Sequence, residues 1–519
     1  MHRWFGDAEW GSLKDVHNAL LSVEGRHLPH VLPPLLGEVK ALKIVQGITF
    51  SNLIGFWLVL ILLAEAVGSA QSSVKPPENP LTLDQAVDFA LANYPAVRAS
   101  MERALASKEG VSLSRTTYLP RTDLLWQSNR ATRNNIFGLY FPQAVVPPIS
   151  GPVLSSTSDR GVWGSMAGIL LSWEPFDFGY RGANVDVAKA TENRANAELS
   201  LTKLDVAGAI GDAFLRLAAA QQQVKAAEAD VDRRQVLATS VHALVKEELR
   251  PGADGSRADA ELAAAKIQLI RSQQVERESE ATLAELLGIP GSKVAINANS
   301  LLAAPATSYA SQSALANHPA ALVANSTLFE TKAREKVLSK SYYPRFNLQG
   351  SFSGRGSGAN TDGTFGSGTD GLDLMRHNWA VGLTATFSVL DFPSLHFKKQ
   401  IEQSNERAQR ADYDKTIQSL TAQAERAKAA YDSAVLISQN TPVELEAARL
   451  GETQANARYQ AALAPIVEVA EAQRLLLQAE TEDNLARLTV WRAMLGEALA
   501  QGDVQPFLEL ARKRAAGGQ

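Results

Sequence analysis

The sequence predicts a mixed α and β membrane protein. Each chain supplies four barrel strands, carried on very long helices and built as an internal duplication. Three observations predict it. Short segments recur in register in the two halves of the chain, four runs of about ten residues alternate apolar and polar side chains, and the rest is strongly helix-forming.

The duplication is read first, because a repeat governs every later assignment. ALANYPAVRA at 90–99 is echoed by ALANHPAALV at 314–323. Asn93 and Asn317 stand at an offset of 224 (317 − 93), and Pro95 and Pro319 share it. So do Pro120 and Pro344 of YLPR and YYPR. SWEPFDFG at 172–179 then faces TFSVLDFP at 386–393, with Asp177 opposite Asp391 at an offset of 214 (391 − 177). The ten positions lost between these landmarks mark a loop. A period this long is too long for a solenoid and describes two similar halves. Residues 81–300 make the first repeat and 301–503 the second, followed by a tail at 504–519.

Residues 1–70 read as an N-terminal extension and signal sequence, with a polar linker at 71–80. LIGFWLVLILLA at 53–64 is preceded by Lys40 and Lys43 and followed by Gly68, Ser69 and Ala70. Positive flank, apolar centre and small residues are the parts of a cleaved secretory signal. The alternative is an uncleaved anchor, since 44–67 is long enough to span a bilayer. Residues 1–40 suit neither, being either an extension or a misassigned start. Net charge is −4, so no basic excess points to nucleic acid. The chain has no cysteine, which excludes disulfides, thiolate metal sites, a cysteine nucleophile and a lipidated N-terminal cysteine.

Thr82 with Gln85 has the capping-box spacing, so a helix follows to about Asn93. Tyr94 precedes proline and leaves the helical region, and Pro95 opens a second helix to about Thr117. In the second repeat His318 occupies the Tyr94 slot and reads as a tolerated side chain at the kink. Phe346, Leu348, Gly350 and Phe352 then alternate with polar neighbours, as do Trp379, Val381, Leu383, Ala385, Phe387 and Val389. The first-repeat counterparts are rougher, with Leu125 and Leu170 breaking the pattern. Loops at 130–164 and 354–378 join the strands, the second rich in Gly, Ser, Thr and Asn.

Helices follow: 183–249 and 257–287, with a turn in RPGADGS, then 395–462 and 467–499, with a break at Ala464-Pro465. Pro442 predicts a kink or short break. At ~1.5 Å per residue the longest runs reach roughly 100 Å, too long for a small globule.

Ten tilted residues span a bilayer, and outer-membrane barrels alternate apolar-out and polar-in. Four strands cannot close a barrel, and open edges are not tolerated in lipid, so the chain must oligomerise. LTLDQAVDFALANYPAVRA at 81–99, the proline-arginine strand starts and ARYQAALAPIVEVAEAQRLLLQAE at 457–480 resemble the TolC family of outer-membrane channels. The resemblance covers 81–503. It implies a homotrimer with a twelve-stranded barrel continuing into a periplasmic helical barrel. It further implies partnership with a periplasmic adaptor and an inner-membrane pump or ABC transporter, in efflux or type I secretion. Ala462 stands where the family usually has glycine.

By the same resemblance, Glu468 and Glu471 ring the periplasmic mouth, with Asp259 as a further candidate. Gly252, Ser256, Ala462 and Leu463 lie at the adaptor-contact turns. Loops 155–158 and 358–368 are expected outside the cell. The eight histidines are scattered, and no Ser-His-Asp or metal-ligand spacing suggests an enzyme or a cofactor. A rival reading is a periplasmic coiled-coil adaptor or structural protein tethered at 44–67, which would have no need of amphipathic strands.

Overall fold

The computed structural model describes residues 77, 79–132, 159–303, 314–358, 360, 364 and 366–517. The signal or anchor at 44–67, most of the linker and the loop at 155–158 lie outside the described residues. The elements are α1 (Leu83–Asn93), α2 (Pro95–Thr116), β1 (Arg121–Thr132), β2 (Gly161–Phe176), α3 (Tyr180–Lys246), α4 (Gly252–Leu286), α5 (Pro319–Lys340), β3 (Arg345–Ser357), β4 (Arg376–Thr386), α6 (Phe392–Gln460), α7 (Ile466–Gln501) and α8 (Gln505–Gly517). Among the described residues no helix is long and apolar enough to cross a membrane.

The strands form one antiparallel sheet in the order β1-β2-β3-β4. Its register aligns apolar side chains into rows on one face. Leu124, Ile169, Phe352 and Trp379 stand in line across all four strands. All four are exposed, as are Trp126, Leu171, Trp173, Val381 and Leu383. Such a surface is apolar in water and suited to lipid. Aromatic residues gather where the strands meet the helices: Phe178 stacks on Tyr343 at 5.0 Å and touches Phe176 edge-on at 4.6 Å. The two pattern-breaking leucines belong to the other face. Leu170 is buried there, and Leu125 packs against Met166.

Several strand limits differ from expectation, the second loop among them, since β3 runs to Ser357 and β4 starts at Arg376 rather than leaving 354–378 as loop. β1 runs to Thr132 and β2 starts at Gly161, so the first loop is shorter than 130–164. β4 ends at Thr386 and the chain turns through a 3-10 segment at Val389–Asp391, so Phe387 and Val389 lie past the strand. Proline at 393 fixes the first turn of α6, and the backbone must leave the sheet before it.

The strand-to-helix corner after β2 is tied by Asp177. Its carboxylate accepts from the N–H groups of Gly179 (3.1 Å) and Arg181 (2.8 Å) and from Arg181 Nε (2.7 Å). Burial raises its pKa, but the Arg181 bonds outweigh this and hold the carboxyl below its ordinary range.

α3 pairs with α4, α6 pairs with α7, and α3 also packs along α5 and α7. Gly208 and Gly211, the only glycines along α3 beyond its first turn, explain the last contact. A Cβ at either would come within 2.7 Å of Leu499 or Leu495 on α7, so glycine sets how closely these helices approach. The core beside them holds Phe214, Trp491, Met494, Leu283 and Leu287. Residues 505–517, expected only as a tail, form α8 and contribute Phe507, Leu508 and Ala511 to it.

α6 is unbroken at Pro442, contrary to the expected interruption. Thr441 Oγ1 donates to buried Asp483 of α7 at 3.0 Å, so packing holds the helix where one backbone bond is lost. His318 is more than a tolerated side chain. Its Nδ1 accepts from Ala320 N–H and its Nε2 donates to Leu499 O, both at 3.1 Å, capping α5 and fastening it to the end of α7.

Candidate functional site: the hairpin ends

The α3–α4 and α6–α7 hairpins turn in the same way on different residues. Glu248 N–H donates to Val245 O and Leu249 N–H to Leu244 O. Ala462 N–H donates to Tyr459 O and Leu463 N–H to Arg458 O. This is the bond pattern of a Schellman-type helix end, which places one residue in the left-handed region. Those residues are Glu248 (φ 59°) and Ala462 (φ 60°), where glycine would be free of strain. Pro251 and Pro465, both extended, then cap α4 and α7.

Glu248 with Ala462, Leu249 with Leu463 and Pro251 with Pro465 all share the offset of 214 (462 − 248). The offset first seen between Asp177 and Asp391 therefore continues to the hairpin ends. It corrects the first turn, which lies at 247–251. Gly252 and Ser256 are inside α4, because Pro251 starts the helix. The acidic Glu248, which reads as helix surface in the sequence, instead forms the turn.

The offset also supplies residues missed in the sequence. The counterpart of Glu468 is Asp254, whereas Asp259 falls level with Gln473. Asp254 N–H donates to Pro251 O at 3.0 Å just as Glu468 N–H donates to Pro465 O at 3.1 Å. Leu249 joins Leu463 as an exposed leucine at a turn, 68% and 72% accessible.

Glu468, Glu471 and Asp259 each have a basic partner, whereas Asp254 accepts from the Tyr459 hydroxyl. Arg458 Nε lies 3.2 Å from Glu468. Arg474 makes two hydrogen bonds to Glu471, which lower its pKa. His242 Nε2 and Asp259 Oδ1 are 2.8 Å apart. Glu468 and Glu471 share one side of α7, and both are at least partly accessible.

The two ends are joined to each other. Arg250 lies over the Tyr459 ring, 4.4 Å from its centroid, and donates to the Tyr459 carbonyl. Tyr459 Oη donates to Asp254 at 3.3 Å. Beneath them Val241, Ala258, Ala455, Ile466 and Val469 form a small apolar cluster. Further along, Arg233 binds Glu480 (2.9 Å) and Arg234 binds Glu261 (2.6 Å), fixing α3 to α7 and to α4. No group of three or more His, Asp or Glu that could hold a metal occurs among the described residues.

A sheet with a lipid-suited face, set on two long helical hairpins with matched turns, defines a membrane β-sheet protein with a coiled-coil extension. The model of the outer membrane efflux protein family matches residues 86–289 and 310–496, one match in each repeat. Over 350 residues the chain is 25% identical to the pyoverdine export outer membrane protein OpmQ of Pseudomonas putida, covering 66% of this chain and 71% of that one. Over 209 residues it is 24% identical to protein CyaE of Bordetella pertussis, a match that spans 40% of each. The fold is like that of the Campylobacter jejuni CmeC outer membrane channel, with a TM-score of 0.66 at 15% identity over 83% of this chain and 90% of that one. The chain belongs to the outer membrane efflux protein family, and its place is the outer membrane.

Proposed function

We propose that three copies of this chain close a twelve-stranded barrel across the outer membrane and continue it as a helical barrel in the periplasm. The assembly is a passive exit duct. The observation that carries this reading is the sheet itself. Among the described residues β1 and β4 each pair on one side only, yet the sheet's exposed face is apolar. Lipid does not tolerate an open edge, so the edges must meet edges of other copies. Eight strands give a barrel that side chains fill, and twelve is the next multiple of four, which leaves a channel.

The duplication supplies the register between copies. Within one chain the rule already works. Arg121 pairs with Ser172, and adding 224 and 214 gives Arg345 with Thr386, which pair. Applied to β2 and β3, where Leu170 faces Ser351, it gives Thr384 (170 + 214) against Gln127 (351 − 224) of the next copy. The face pattern agrees, since both residues lie opposite the apolar rows.

The duct's partners are a periplasmic adaptor, seated at the hairpin ends, and an inner-membrane pump or ABC transporter. The relative matched over the greater length is named a pyoverdine export protein, which favours small-molecule efflux over protein secretion. An adaptor or tethered structural protein would leave the apolar rows without a use.

The test uses the absence of native cysteine. Outer-membrane fractions containing Gln127→Cys, Thr384→Cys protein should give covalent dimers and trimers on oxidation. Gln127→Cys with Gly382→Cys, two positions out of register, should not. A monomer in the soluble periplasm would sink the barrel. A trimer linked only by the shifted pair would sink the register.

A further inference from the structure

The face of the sheet opposite the apolar rows carries a pairing that sheet energetics disfavours. Arg355 of β3 stands directly across from Arg376 of β4. Directly opposed residues share a face with Cβ atoms about 5 Å apart, and like charges there repel. The complete row is Gln127, Met166, Arg355 and Arg376, so it holds two positive charges and no negative one. Among the described residues neither arginine forms an ion pair, although Arg121, on the same face of β1, has Asp123 at 3.0 Å. Asp123 is also the nearest carboxylate along that face of β1, four positions from Gln127 and already occupied. Met166 is buried between the strands, so the arginines stand on a packed wall rather than on a loose loop.

Position gives the pair its meaning. The helices join the strands at Arg121, Phe176, Arg345 and Thr386, and the row lies toward the opposite end, where loops connect the strands. Arg376 is the first residue of β4 and Arg355 the third from the end of β3.

We propose that Arg355 and Arg376 form an anion-binding ring on the lumen wall just inside the outer mouth of the duct, for phosphate- or carboxylate-bearing anions. The proposal rests on the three-copy barrel, which places six guanidinium groups around one axis. A guanidinium is planar and offers paired N–H donors that match phosphate and carboxylate oxygens bidentately. An anion set between two arginines converts their repulsion into shared binding. Arginine rings favour anions as carboxylate rings favour cations. The duct then carries acidic residues at its periplasmic end and basic ones at its outer end.

The test is block of ion current by inorganic tripolyphosphate in planar bilayers holding the intact trimer. Tripolyphosphate added on the loop side should block wild-type channels. Arg355→Gln, Arg376→Gln channels should need about tenfold more or higher. Arg355→Lys, Arg376→Lys channels, which keep the charge, should retain most of the block. The glutamine variant should form trimers at least as heat-resistant as wild type, because a like-charge pair has been removed. Conducting trimers on which tripolyphosphate has no effect, or the same effect in the glutamine variant, overturn the ring and leave the barrel standing. Loss of trimers in the glutamine variant also overturns it, by making the pair structural. A wild-type protein that is monomeric by native mass and never conducts overturns the barrel, and the ring with it.

Discussion

Arg250 of one hairpin end lies flat over Tyr459 of the other, with its guanidinium carbon 4.4 Å from the ring centroid. Tyr459 is almost wholly buried, and its hydroxyl reaches Asp254 on the same hairpin as Arg250. One aromatic ring is therefore gripped from two sides, and the grip joins hairpins that no covalent turn connects. Arg250→Ala should let the ends separate. We expect single-channel conductance at least about twofold higher, since cation–π contact and a charge-assisted bond are lost together. Unchanged conductance would mean that the narrowest point lies elsewhere.

Leu249 and Leu463 are the exposed apolar tips of the two turns. Exposed leucines at matched positions suit a partner that buries them, each worth about 1.5–3 kcal/mol when covered. Leu463→Asp, and to a similar degree Leu249→Asp, should reduce export about tenfold or more while native mass still shows trimers. Normal export in both variants would move the adaptor contact away from the turns.

We propose that Glu468 and Glu471 line the periplasmic mouth; they are neutralised in part by their own chain, through Arg458 and Arg474. Cation preference should therefore be modest. In Glu468→Ala, Glu471→Ala channels most of it should be lost, along with block by multivalent cations added from the periplasmic side. Adding Asp254→Asn should remove whatever remains. Reversal potentials under a salt gradient measure this directly, and identical values in wild type and the triple variant would place these residues outside the mouth.

Glu330 couples acidity to the joint between α5 and α3. It is buried, which raises its pKa, but hydrogen bonds from Arg334 and Arg194 outweigh burial and lower it overall. A folded pKa below the unfolded value of 4.5 stabilises the protein above that pH, and the contribution is lost as pH falls through the folded value. Glu330→Gln should cost about 2 kcal/mol at pH 7. Thermal melts of purified protein should show the gap between variant and wild type closing below pH 4.5. A gap that persists at the lowest pH would point to lost shape rather than lost charge.

Gly502 ends α7 at φ 82°, and a Cβ there would come 2.7 Å from His318 and 2.9 Å from Pro319. Gly502→Ala should lower stability by about 2 kcal/mol, combining left-handed strain with the clash. The melting temperature is the readout, and a neutral substitution would show that α5 can shift.

Much of this is legible in the sequence because periodicity and landmarks survive there. The alternation from Phe346 to Phe352 and the prolines at 120 and 344 locate strands without any structure. Other features are not legible. Leu125 and Leu170 look like errors in a two-residue period, since burial on the second face is a property of the packed sheet. Glu248 and Ala462 give no sign of their left-handed backbone, because neither is glycine. Asp254 yields to Asp259 unless the offset of 214 is carried past Asp391, although Pro251 and Pro465 preserve it. The tie between Arg250 and Tyr459 spans a sequence separation of 209 and has no local signal.

The register between β2 and β3 has a consequence for the order of events in biogenesis. Met166 and Arg355 are neighbours in the sheet, yet they come from opposite repeats and are far apart along the chain. Before β3 emerges, the first repeat owns only the β1–β2 ribbon, and an isolated two-stranded ribbon is marginal at best. The α3–α4 hairpin, whose contacts are local, can form early, whereas the sheet must wait for the second repeat and its distant pairing. Each chain therefore spends an interval as folded rods bearing unfinished, adhesive strand edges. Insertion into the outer membrane is necessarily the late step, and a chain stopped at residue 303 should keep its helices yet never enter the lipid.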